Sequence, residues 1–378
     1  MTGTTAEIAT ARPEAEDSFA QASQARLIWW RFCRHKLAVA SLVLVALFYL
    51  VAAFADFLAT TDPHASDARR SYIPPQTIRL FAADGTFSPH VQALRGQRDM
   101  QTFQIVYRPD PNRQLRVVLF GHGYEYSLFG LFRTDRHLLA LENPGPTDGL
   151  FLLGTDVQGR DLWSRLMVAT RVSLTIGLVG VIISLFLGIL LGGLSAIYGG
   201  WVDLLIQRLI EVIRSLPTIP LWMGLAAALP PTWSVTETYF AITILIAFLA
   251  WTDLGRVVRG KFLSLKTEDF VLAAELAGAG KLRIIFKHML PSFASHVIAA
   301  TTLALPAMII SETSLSFLGL GLRPPAISWG ILLQDAQNIQ TLVLAPWLLA
   351  AAAPVIVVIL AFNFLGDGLR DAADPYGT

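Results

Sequence analysis

The sequence predicts an all-α polytopic membrane protein with six transmembrane helices, a long cytoplasmic loop between the fourth and fifth, and a small α+β external insertion. Three observations carry that expectation. Only 15% of the residues are charged and 54% are hydrophobic, where a soluble chain carries about 25% charged residues. The mean hydropathy is +0.54, so there are too few charges to solvate the surfaces of separate soluble domains. The apolar residues also fall in blocks of about 20, the length that crosses a bilayer core about 30 Å thick at about 1.5 Å per residue. Lys+Arg 29 against Asp+Glu 28 gives a net charge of +1, which argues against a nucleic-acid partner. The single cysteine, Cys33, excludes an intramolecular disulfide framework and a cysteine-based zinc site.

Residues 1–36 read as a cytoplasmic tail whose first part, 1–20, is rich in Thr, Ala, Glu and Pro and expected to be disordered. Leu37–Ala55 is uncharged and forms the first span, within 37–58. Ala53-Phe54-Ala55 resembles a signal-peptidase site, but the preceding segment is too long for an ordinary n-region and further spans follow. Residues 172–366 hold the other five spans: Val172–Tyr198, Leu204–Leu229, Tyr239–Thr252, Met289–Ser311 and Val343–Gly366. Small residues in Ser184–Ala196 suit close helix packing. Residues 367–378 form a C-terminal tail. Basic residues in short loops set the orientation. Arg26, Arg31, Arg34 and Lys36 put the N-terminus in the cytoplasm, and the 256–291 loop, with Arg256, Arg259, Lys261, Lys266, Lys281, Arg283 and Lys287, falls on the same side. The C-terminus joins them there, in a multi-pass inner (plasma) membrane protein.

The external segment, 59–171, is the soluble-looking part. Phe103–Tyr107 and Leu115–Phe120 read as strands, bounded by turns at Arg108–Asn112 and Gly121–Gly123. Thr86–Met100 and Thr134–Leu141 read as short helical or irregular pieces. His122 and His137 lack a second ligand at metal-binding spacing, so a solvated or structural role is favoured over a metal site.

Within the 256–291 loop, Thr267 or Asp269 can cap a short helix with an acidic first turn. Val271, Ala274 and Ala277 share a face, and Ala273, Ala274 and Ala277 are small enough to let another surface approach. Gly278 and Gly280 can end this helix at positive φ. A second amphipathic stretch, Leu282–Met289, runs to Pro291 at the next span.

The pattern Ala273-Ala274, Gly278, Met289-Leu290-Pro291 resembles the loop of ATP-binding-cassette importer permeases of the dipeptide/oligopeptide/nickel group. Further stretches match in order: Gly154-Thr-Asp156 through Gly159-Arg160-Asp161, Ser164-Arg165 and Arg171-x-Ser173; Tyr198–Asp203 with Arg208 and Leu216-Pro217; Glu312–Gly321 with Pro324-Pro325 and Ser328-Trp329-Gly330; and Asn363–Asp371. The resemblance covers most of 150–378 and the first span. It implies that the loop contains a coupling helix that docks on an ATPase, with Asp269, Leu272, Ala273, Ala274, Glu275, Gly278, Leu290 and Pro291 at the contact. Leu272 stands where the family places a glutamate, and Glu275 follows one turn on. It further implies a half-channel paired with a second, related permease, two ATP-binding subunits that hold ATP and Mg, and an external substrate-binding protein. Peptide-like cargo is the default expectation.

No cofactor is expected in this chain. Gly280-Lys281 lacks the first glycine and the hydroxyl of a phosphate loop, since Glu275 and Leu282 occupy those positions. Arg208, Glu211 and Arg214 lie at i, i+3 and i+6 on one face of the third span, as candidates for a polar translocation path. Read more simply, they form a self-neutralising strip near its cytoplasmic end. Two other classes compete: an ion-coupled secondary transporter using those charges, and a membrane sensor or scaffold using the external segment. The sensor leaves the paired cytoplasmic helices without a role.

Overall fold

A computed structural model describes residues 24–81, 85–98, 100, 105–145 and 148–373. The tail at 1–20 and Asp374-Pro375 lie outside them. The amphipathic helix α1 (Gln24–Arg34) leads into α2 (Lys36–Ala53), the first span. After a single turn, Ala55–Leu58, the chain enters the segment expected to be external. There β1 (Arg79–Phe81), β2 (Phe87–Arg98), β3 (Ile105–Leu128) and β4 (Phe132–Leu141) form an antiparallel meander in the order β1-β2-β3-β4. Val91, Ala93, Leu115, Val117, Leu141 and Leu150 make its core.

Among the described residues this segment holds the four-stranded sheet and one short helical turn, Ala68–Arg70. Thr86–Met100 and Thr134–Leu141 supply strands rather than helical pieces, because both pair with β3 along their length, and Val91 and Ala93 of the first alternate onto a buried face. The expected turns at Arg108–Asn112 and Gly121–Gly123 are irregularities within the single strand β3, where the register slips opposite Gln92–Leu94 and between His122 and Tyr126. Phe103 lies outside the described residues.

The membrane part continues with α3 (Leu162–Tyr198), α4 (Gly200–Ser215), α5 (Thr218–Ala227), α6 (Val235–Leu265) and α7 (Asp269–Leu276). It ends with α8 (Ala294–Phe317), α9 (Trp329–Asp335), α10 (Ile339–Leu344) and α11 (Ala352–Ala373). Among the described residues, five helical runs are long and apolar enough to cross a bilayer: α2, α3, α6, α8 and Pro346–Ala373. The expected third span is not one straight helix. Its two halves, α4 and α5, are bent by 92°. The cause is Leu216-Pro217: proline offers no N–H to the helix and holds Leu216 extended, at φ −88° and ψ 139°.

Helix α3, at 37 residues or roughly 55 Å, is longer than the bilayer core and starts ten residues before the expected span. It packs most extensively against α6. The small-residue stretch makes this close: a Cβ at Gly192 would stand 2.5 Å from the Gly255 carbonyl oxygen, and one at Gly188 would stand 3.0 Å from Leu254. Helix α6 extends to Leu265, so 256–265 belongs to a span helix and the connecting loop begins only at Lys266. The fifth span begins at Ala294 rather than Met289. It carries Glu312 inside its last turns, not in a connection. Helix α11 runs to Ala373, past the expected limit at Gly366.

Candidate functional site

Two features of the membrane part can carry a function: the loop after α6 and a cavity among the helices. The loop is built outward from a fixed base. Arg259 on α6 grips Asp203 on α4 through two bonds of 2.6 Å, and Asp203 also bonds Ser195 near the end of α3. Lys266 Nζ donates to the Ile197 carbonyl at 3.0 Å. These contacts join the same-side ends of α3, α4 and α6 where the loop departs.

Helix α7 follows, with Glu268 at its N-cap position and no side-chain cap, so neither Thr267 nor Asp269 fills that role. Val271 is buried against Ile197, Phe262, Ile284, Ile285 and Met289, which pins α7 to the helix ends. The opposite face looks outward: Asp269, Phe270, Leu272, Ala273 and Ala277 are exposed, and Leu276 keeps 90% of its area. An eight-residue helix that buries one valine and exposes two leucines is shaped to lay its apolar side on another surface. Ala274 is half-buried, so of the three residues expected on one face Val271 and Ala274 turn inward and Ala277 outward.

Gly278 ends the helix at φ +78°, with its N–H on Glu275 O at 2.9 Å and the Ala279 N–H on Ala274 O at 3.0 Å. This pair of bonds is a Schellman motif, and it needs the left-handed residue that glycine supplies. Gly280 is not at positive φ; at φ −65° it opens the next helical turn. Lys281 Nζ reaches back to Glu275 at 2.7 Å across the turn, holding that carboxyl below the usual range through the hydrogen bond. Ile284–Met289 is π-helical, Leu290 packs partly against the buried cluster, and Pro291 is exposed. The site residues named from sequence thus gather in one compact projection, with Leu272 on its outer face and Leu290 at its base.

The cavity, about 550 Å³, lies between α3, the α4–α5 bend, α6 and α8. Of the three candidate charges on the third span, only Arg214 lines it, and Arg214 pairs with Asp253 on α6. Arg208 and Glu211 pair with each other at 2.5 Å on an exposed face. The self-neutralising strip is therefore split: Arg214, in the last turn of α4, meets Asp253 on α6 instead of Glu211. Sequence reasoning missed Asp253; the signal was an acidic residue at the very edge of the fourth apolar block.

It also missed a buried polar centre. Glu312 is fully buried on α8 and accepts hydrogen bonds from Ser173 (3.1 Å) and Ser316 (2.8 Å). Ser173 also takes the backbone N–H of Trp329 at 3.2 Å. Two stretches quoted above as separate motifs therefore meet at one point.

The Gly154–Asp161 stretch is a clasp on the opposite side. Asp156 is fully buried and binds Arg160 (2.7 Å) and Arg165 (2.5 Å), and both arginines also reach Asp335 at the end of α9. Asp161 caps α3, accepting from Ser164 N at 2.9 Å and from Thr60 Oγ1 at 3.0 Å. Burial pushes its carboxyl up to about 6, against the lowering effect of those bonds. A raised folded-state value means that stability declines as pH rises from the unfolded value, near 4, through about 6. Asp161→Asn keeps one acceptor oxygen and removes the charge. It is expected to raise the melting temperature at pH 7.5 and to leave it unchanged at pH 4; a variant less stable at both values would refute this account. In the external sheet, His122 Nδ1 pairs with Asp135 at 2.6 Å, and His137 is buried between the Asp56 and Tyr124 carbonyls.

Residues 165–376 match the family described as binding-protein-dependent transport system inner membrane component. Residues 23–75 match the N-terminal TM domain of oligopeptide transport permease C. The oligopeptide transport system permease protein OppC of Haemophilus influenzae is 40% identical over 229 residues, 60% of this chain and 71% of that one. The protein of the same name from Bacillus subtilis is 34% identical over 253 residues, 67% of this chain and 77% of that one. The dipeptide transport system permease protein DppC of Alkalihalophilus pseudofirmus is 39% identical over 224 residues, 59% of this chain and 71% of that one.

Proposed function

This chain belongs to the binding-protein-dependent transport system inner membrane component family, and as a permease subunit of that kind, we propose, it forms half of a translocation path for peptides or similar small solutes. Its relatives are named for oligopeptide and dipeptide transport, which supports the cargo class. The other half is a second, related permease, two ATP-binding subunits below supply ATP and Mg, and an external binding protein delivers cargo. The observation that carries the assembly is α7, an amphipathic projection whose exposed Leu272, Leu276, Ala273 and Ala277 have no cover among the described residues. With both termini cytoplasmic, residues 59–171 are external and offer the surface for the binding protein or the partner permease.

The cavity beside Arg214 and Asp253 is where cargo would pass once the partner closes the other side. The decisive test is uptake of a labelled tripeptide into proteoliposomes holding all the subunits. Uptake is expected to need ATP and both ATP-binding subunits. Uptake driven by a proton gradient without them would favour the ion-coupled carrier. For sidedness, Ser264→Cys in a Cys33→Ser background should resist an impermeant maleimide applied to intact cells, while Thr86→Cys reacts. Labelling of Ser264→Cys from outside would reverse the topology.

A further inference from the structure

The external sheet carries an apolar surface that its own core does not use. The turn joining β3 to β4 reads Leu128-Phe129-Gly130-Leu131-Phe132 and contains no charge. Phe129, Leu131 and Phe132 are exposed, Leu131 with 77% of its area. Phe120, earlier on β3, extends the same exposed surface through the rings of Phe57 and Phe54. A patch of this kind on a segment outside the spans marks an interaction site.

Its depth is set by the first span. The Phe129 ring lies 5.6 Å from that of Phe54, and the Phe120 ring 6.0 Å from that of Phe57. Phe54 caps the C-terminal end of α2, whose 18 residues reach roughly 27 Å, close to the thickness of the hydrocarbon core. The hairpin tip therefore sits level with the edge of the acyl region. It also continues an exposed stripe of that span, in which Val43, Leu47 and Leu50 follow at helical spacing and lead up to Phe54.

The backbone supports a fixed orientation. Phe120 and Phe129 hold φ of 55° and 54°, a conformation unfavourable for bulky side chains. These are the same two residues whose rings meet Phe57 and Phe54. Such geometry persists where surrounding structure fixes it, and it clusters at functional positions. Arg133, the next residue after the tip, is exposed, at the height where lipid phosphates lie.

We propose that the β3–β4 tip is a lipid anchor: Phe129, Leu131 and Phe132 insert among outer-leaflet acyl chains beside α2, with Arg133 at the phosphate level. The occupant is lipid rather than protein because the patch continues the surface of a membrane span. The choice of leaflet rests on the sidedness proposed above.

The test uses the assembled transporter in vesicles of phosphatidylethanolamine and phosphatidylglycerol, with Cys33→Ser as background. Leu131→Cys or Phe132→Cys carries an environment-sensitive fluorophore, and Asn112→Cys, well back along the same strand, serves as comparison. Lipids bearing a shallow acyl nitroxide are expected to quench the tip labels severalfold more than the Asn112 label, with aqueous iodide giving the reverse order. Iodide quenching that is equal at all three positions overturns the proposal. So does lipid quenching of the isolated chain that disappears when the partner permease is added, since protein would then be the occupant. Lipid quenching at the tip together with outside labelling of Ser264→Cys in intact cells would keep the anchor and reject the topology, so the two failures are distinct.

Discussion

Replacing Gly278 by valine is expected to abolish ATP-driven uptake while leaving the chain inserted in the membrane. Among the described residues nothing stands within 4 Å of a Cβ at this position, so the added carbon meets open space. The penalty comes from φ +78°, which costs a β-branched residue about 1–2 kcal/mol or more. That is too little to unfold the protein, but it is enough to unmake the Schellman turn that aims α7. Leu276→Asp separates docking from folding, because the Leu276 side chain is almost fully exposed and holds nothing in place. Burial of a leucine at an interface contributes about 1.5–3 kcal/mol, so its loss should weaken ATPase binding by at least about tenfold. Ala274→Asp should act similarly, by displacing the half-buried inner edge of α7. Co-purification of the ATP-binding subunits and uptake are the measurements. If either the Gly278 or the Leu276 variant keeps full uptake and an undiminished ATPase yield, α7 is not the coupling element.

Arg165→Met is expected to produce a large loss of stability. Arg165 is buried between Asp156 and Asp335, and removing one partner of a buried pair typically costs about 3–5 kcal/mol, because the other charge is left uncompensated. Arg160 still reaches both carboxylates, which places the expected loss at the lower end of that range. Arg165→Lys keeps the charge without the planar fork and should fall between the two. Thermal unfolding of the purified chain in one detergent would measure all three. A methionine variant with an unchanged midpoint would show that the clasp contributes nothing to stability. Because the clasp ties the start of α3 to the end of α9, its loss should also lower uptake even in the protein that remains folded.

The spans were legible because a bilayer imposes one requirement on every residue in them: each backbone group must bond within its own helix, and each outward side chain must be apolar. Composition and block length record that requirement directly, so α2 was found close to its actual limits, and α3 and α11 were found as spans although the start of α3 and both ends of α11 lie seven to ten residues from the expected ones. The loop was legible for a different reason. Its glycine and its small residues are local conformational instructions, and the turn at Gly278 is built from contacts within five residues.

What the sequence concealed depends on contacts between distant segments. Thr86–Met100 and Thr134–Leu141 are strands only because β3 lies beside both; without that pairing their patterns are too short to separate strand from irregular chain. The serine and glutamate motifs gave no hint that Ser173 joins Glu312, since a hydrogen bond across 139 residues leaves no periodic trace. The partition of the third-span charges followed from a neighbour on another helix, with Arg214 beside Asp253 on α6 and Arg208 and Glu211 left to each other. The sequence by itself determined the membrane class, the order of the spans and the helix–glycine–helix loop, because solvent polarity and backbone geometry act residue by residue. Tertiary structure alone decided which polar groups meet in the interior and which apolar ones remain uncovered, because burial is a property of the neighbours that packing brings together.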